Sequence, residues 1–98
     1  VSFVSKAFVS TASGDKYVQQ LIKHWSHRFE TSYADGEGLV PFSDVASASF
    51  TSDPEGIRIV LRTSGAEEAE TLRGVIESHL DRFAFREAPL SYTWEDGR

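Results

Sequence analysis

The pattern of apolar and polar positions divides the chain into alternating strands and helices. The opening VSFVSKAFVST is dense in β-branched and aromatic residues, which predicts a strand over Lys6 to Ser10. In the next stretch Val18, Leu21, Ile22, Trp25 and Phe29 recur at helical spacing and form one apolar face. Ser13 is the expected N-cap of this helix, with Asp15 in its first turn. The helix is expected to run through KHWSHRF as far as Phe29.

Asp35-Gly36 and Gly38 predict a hairpin turn between two strands, and Pro41 predicts an edge or bulge. ASASFTS alternates, Asp53-Pro54-Glu55-Gly56 reads as a turn, and IRIVLRTS alternates again. In that last strand Ile57, Ile59 and Leu61 oppose Arg58, Val60 and Arg62, so one face is buried and the other wet. A second helix follows. Ser64 and Glu67 suggest a capping box, Glu67, Glu68 and Glu70 suit the positive end, and Arg82 and Arg86 suit the negative end. Its stripe is Leu72, Val75, Ile76, His79, Leu80 and Phe83; Pro89 is expected to stop it before a last strand in LSYTWE.

The predicted order is β-α-β-β-β-β-α-β, a single α+β domain over residues 1–98. Each helix has one apolar stripe and needs cover on one side only. A largely antiparallel sheet with both helices on one face is the expected packing. Tyr33, Phe42, Phe50, Tyr92 and Trp94 should then be core, with Ser47, Ser49, Thr51, Arg58 and Arg62 on the opposite face.

Composition narrows the functional classes. Net charge is −5, which opposes general nucleic-acid binding and attachment to an anionic membrane. Cysteine is absent, so disulfides, thiolate-zinc sites and thiol catalysis are out and a cytoplasmic location is expected. No apolar run reaches the roughly 18 residues of a membrane span. Gly36 and Gly38 do not precede a helix and make no phosphate loop; no cofactor is expected.

The candidate chemistry lies in KHWSHRFE. At about 100° per residue, Tyr17, Leu21, His24 and Arg28 form a boundary stripe, while His27 faces water with Lys23 and Gln20. Lys23, His24, His27 and Arg28 form a compact basic surface suited to an anionic group on a small ligand or protein partner. His79 sits centrally on the second stripe and could meet His24 at a seam between the helices. These five residues are the candidate binding site. A metal would need more ligands than His24, His27 and His79 readily supply, even with Glu30. Ser26 does not face its neighbouring histidines, and no strand–Ser–helix elbow exists. A non-enzymatic binding module is the leading expectation. The alternatives are a small metal-dependent or acid–base enzyme using His24 and His79, and a structural or oligomerising module.

KHWSHRFE, the VPF segment and SHLDRFAFRE together resemble a family of small bacterial domains, Domain of Unknown Function 2218. The resemblance covers nearly the whole chain. Lys23, His24, Trp25, Ser26, His27, His79, Phe83, Phe85 and Arg86 match recurring residues of the family. The resemblance implies no catalytic role for any of them. It implies a setting near siderophore-interacting flavoproteins, to which some members are fused or beside which they are encoded. His27, exposed yet inside a matching stretch, gains weight as a functional residue.

Overall fold

The computed structural model describes residues 3–84, 90 and 92–97. Its elements run β1 (Phe3–Ser10), α1 (Gly14–Trp25), β2 (Ser32–Ala34), β3 (Glu37–Ser43), β4 (Ala46–Asp53), β5 (Gly56–Thr63), α2 (Ala66–Phe83) and β6 (Thr93–Gly97). This is the α+β order that the sequence predicts. Phe85, Arg86, Pro89 and Ser91, to which the sequence assigns a helix end and a strand start, lie outside the described residues.

The six strands form one sheet in the order β2-β3-β4-β5-β1-β6. Every neighbouring pair is antiparallel. β2 to β5 are a meander whose turns are built locally. Asp35 (φ 51°) and Gly36 (φ 80°) both adopt left-handed backbone, the requirement of a type I′ hairpin turn. At the β4–β5 turn the Asp53 carboxylate accepts from the Glu55 and Gly56 amides at 2.8 and 3.0 Å. Pro41 lies beyond the reach of short β2, at the bulge where the β3–β4 register shifts. A residue without an N–H is tolerated there.

β1 lies between β5 and β6, so β5 and β6 run parallel to each other with α2 as their crossover. α1 packs over β3, β4 and β5, α2 packs over β5 and β1, and the helices touch each other. The core between the layers holds Ile57, Ile59, Leu61, Phe50, Val40 and Val9 from the sheet. From the helices it holds Val18, Leu21, Ile22, Trp25, Ile76 and Leu80. Arg58 and Arg62 point to the uncovered face, as their alternation requires.

Local details depart from the sequence reading. The Ser13 side chain makes no capping bond. α2 begins after Gly65, and Glu68 rather than Glu67 reaches back, accepting from the Ser64 amide and hydroxyl at 3.2 and 3.0 Å. The box is thus displaced by one residue. Tyr17 and Leu21 are buried rather than at a boundary. α1 has the sheet beneath it and α2 beside it, so more than one stripe is covered.

α1 stops at Trp25, short of Phe29, because the next residues tighten into a turn. The Arg28 and Phe29 amides both donate to the Trp25 carbonyl, at 3.0 and 2.9 Å. Phe29 still returns to the core edge, 5.3 Å from Phe42 between ring centres.

Two side-chain hubs tie distant elements together. Asp15, on α1, accepts from Tyr33 of β2, from Ser52 of β4 at 3.0 Å and from Gln19 at 2.7 Å. These bonds hold its carboxyl below the usual range, Tyr33 contributing most. β6 is clasped to α2 by Trp94 Nε1–H donating to Glu77 at 2.6 Å. The Tyr92 hydroxyl adds a bond to Asp81 at 3.0 Å. Burial first, then Asp81, pushes the Tyr92 hydroxyl pKa up, so it stays a donor.

Gly74 lies on the outer side of α2, where an added Cβ would meet no atom within 4 Å. Gly74→Ala should stabilise the fold by about 0.5–1 kcal/mol, because alanine loses less backbone freedom on helix formation. A urea midpoint at or below that of the wild type would contradict this.

Candidate functional site

The last turn of α1, the turn after it, the β3–β4 end of the sheet and one stripe of α2 enclose a groove of about 400 Å³. Its floor is aromatic. Trp25 is 3% exposed and lies 5.0 Å from Phe42 and 6.2 Å from Phe50, between ring centres. Phe42 in turn meets Phe29 edge-on, and this wall of perpendicular rings is a favoured aromatic arrangement. The other wall is α2, where Glu68, Leu72, Val75 and His79 follow at i, i+4, i+7 and i+11 on one face. That spacing separates Glu68 from His79 by about 16 Å along the helix. The groove is therefore long, apolar in the middle and polar at both ends.

His24 and His79 meet at one end, with ring centres 5.1 Å apart and planes tilted by 48°. Trp25 supports His79 from below at 5.0 Å, and Phe83 meets His24 edge-on at 5.8 Å. Nδ1–H of His79 donates to the Val75 carbonyl one turn earlier at 2.7 Å, which fixes the ring plane and tautomer. His24 is held below the ordinary histidine pKa, first by partial desolvation, then by the positive charges of His79, Arg82 and His27. In the free protein near neutral pH its ring is uncharged.

The groove brings His24, Arg28 and His79 together, as a seam between the helices would require. Lys23 and His27 are exposed and do not line it. His27 follows the end of α1, so it belongs to the turn rather than to the outer helical face. Among the described residues no group of three or more His, Asp or Glu side chains is placed to hold a metal ion. Chemically, the groove presents two imidazoles and an arginine toward one end, Glu68 toward the other, and an aromatic floor between them.

Sequence reasoning read Phe42, Leu72 and Val75 as core and passed over their role as groove walls. All three are half-buried and line the groove beside the bulge-bearing end of β3. The available signal was the histidine interrupting an apolar stripe at His79, four residues after Val75.

A solved structure similar to this chain is the NMR structure of PA4090 from Pseudomonas aeruginosa. It shares 28% identity over 95% of each chain with a TM-score of 0.81. Comparison with curated proteins finds no match. The matching family model covers residues 6–95, so this chain belongs to the family described as uncharacterized protein conserved in bacteria (DUF2218).

Proposed function

We propose that this chain is a non-enzymatic binding module that holds a small anionic ligand in the groove between α1 and α2. The observation that carries the reading is the His24–His79 pair, 5.1 Å apart at the end of an aromatic-floored groove. Arg28 lines the same groove and Arg82 lies close enough to depress the His24 pKa, so the local field favours an anion. Lys23 and His27 extend the basic surface outside the groove and suit electrostatic steering more than direct contact. A cytoplasmic setting fits the absence of cysteine. The resemblance to domains accompanying siderophore-interacting flavoproteins supports an accessory role in siderophore-iron use.

The test is a titration of the protein with small carboxylates, followed through the histidine ring signals by NMR. His24 and His79 should shift together. Alanine at both should weaken binding at least about tenfold, or 1.4 kcal/mol. Binding unchanged in that double variant would end the assignment.

The same pair favours one second reading, a His-dependent metal or acid–base site. Two imidazoles this close can share a Zn²⁺ ion if solvent or substrate completes its coordination. Selective loss or shift of both histidine signals at micromolar Zn²⁺, with anions leaving them unmoved, would favour that reading over the first.

A further inference from the structure

The Val75 carbonyl can only accept a hydrogen bond, so the hydrogen of His79 sits on Nδ1. In the neutral ring Nε2 is then a bare lone pair. A lone pair repels a carboxylate oxygen and has nothing to donate to it. An anion can therefore be held at His79 Nε2 only when that nitrogen gains a proton. His24, 5.1 Å away, cannot easily add a second charge, because the two rings repel each other when both are protonated. Beyond this pair the groove is lined by Phe29, Phe42, Leu72 and Val75, and about 400 Å³ is ample for a flat bicyclic ring.

We propose that the groove binds aromatic carboxylates, with the ring among these apolar walls and the carboxylate at His79 Nε2, and that each one bound brings one proton onto the His24–His79 pair. This rests on the reading of the groove as an anion site and adds its ligand class and its coupling to pH. Among the described residues, the other charged groups around the pair are Arg28 and His27 from the turn after α1, and Arg82 and the more distant Glu68 from α2. The β3 and β4 wall contributes Phe42, Ser43 and Ala46, none of them charged. The pH dependence is carried by the imidazoles, the side-chain class whose charge changes near neutral pH. Their sign is unambiguous. A bound anion favours the imidazolium, so affinity rises as pH falls and levels off once the free pair is already protonated.

The probe is 2-naphthoate, titrated calorimetrically into the full chain near pH 6, 7 and 8, in paired buffers of different ionisation heat. Affinity should rise by up to about tenfold from pH 8 to pH 7, and the buffer pairs should report close to one proton taken up. His79→Gln should lose this dependence and His27→Asn should retain it. Uncharged 2-naphthamide, whose N–H can donate to Nε2, should bind without proton uptake in the wild type, and its binding to His79→Gln verifies that the groove is intact. Equal naphthoate affinity at pH 6 and 8 with no proton taken up would overturn the coupling, leave anion binding standing and point to Arg28 as the contact. Failure of naphthoate to bind at all three pH values would overturn this inference, and failure of small carboxylates as well would overturn the anion-site reading.

Discussion

Trp25→Ala is expected to cost about 3–5 kcal/mol of folding stability, read as a fall in the urea midpoint with little change in slope. Trp25 is only 3% exposed and lies at the junction of three elements. Its ring touches Phe42 from β3, Phe50 from β4 and His79 from α2, all within about 6 Å between centres. Phe50 is fully buried and cannot move into the space left behind without opening the sheet side of the core. A domain of this size has roughly 5–15 kcal/mol of total stability, so the variant should be partly unfolded at moderate temperature. Trp25→Phe retains most of the apolar area and should lose less than half as much. A loss below about 1 kcal/mol for the alanine variant would mean that the core closes over the gap, contrary to the close packing described. Trp25 also forms the groove floor, so any Trp25→Ala molecules that remain folded should bind the proposed anionic ligands weakly. His79 would have lost the surface against which its ring rests.

Gly56→Ala should cost about 3 kcal/mol or more, for a different reason. A Cβ at position 56 would stand 2.0 Å from the Val9 carbonyl oxygen and 2.9 Å from the Phe8 ring. The first obstacle is backbone, so no rotamer change relieves it. β5 would have to separate from β1 where Ser10 pairs with Gly56, next to the Thr11 amide bond to the Glu55 carbonyl. The β1–β5 ladder joins the meander to the rest of the sheet, so damage there should spread. The same chemical change at Gly74 is expected to have the opposite sign. The two substitutions, compared in one urea series, separate close backbone approach from helix propensity. Equal stability of Gly56→Ala and the wild type would show that β1 and β5 are farther apart at that point than described.

Much of this was legible along the chain. The alternation of Ile57, Ile59 and Leu61 against Arg58 and Arg62 assigns both faces of β5, because side chains on a strand point to opposite sides. Asp35-Gly36 and Pro41 mark a turn and a bulge through backbone chemistry that operates within a few residues. The helical periods of Val18 to Trp25 and of Leu72 to Phe83 assign two amphipathic helices, and with them an α+β layer packing. All of these are local effects, decided by φ, by missing donors or by periodicity.

Other features depend on partners far away in sequence. The chain does not announce that β1 sits between β5 and β6, since that position depends on free energies of pairing between residues 46 or more positions apart, Ser10 and Gly56 being the nearest pair. The buried width of α1 depends on α2 lying beside it, which is why Tyr17 and Leu21 are core rather than boundary. The Asp15 hub and the clasp of Trp94 on Glu77 are likewise contacts that no spacing rule anticipates. The site divides in the same way. Helical spacing makes His24 and His79 available at the edges of two stripes. Only the packing of α1 against α2 places their rings 5.1 Å apart over Trp25, leaves Lys23 and His27 outside, and turns half-buried Phe42, Leu72 and Val75 into walls. The sequence by itself determines which residues each element can present, because periodicity acts within the element; tertiary packing decides which of them meet, because those distances are set between elements.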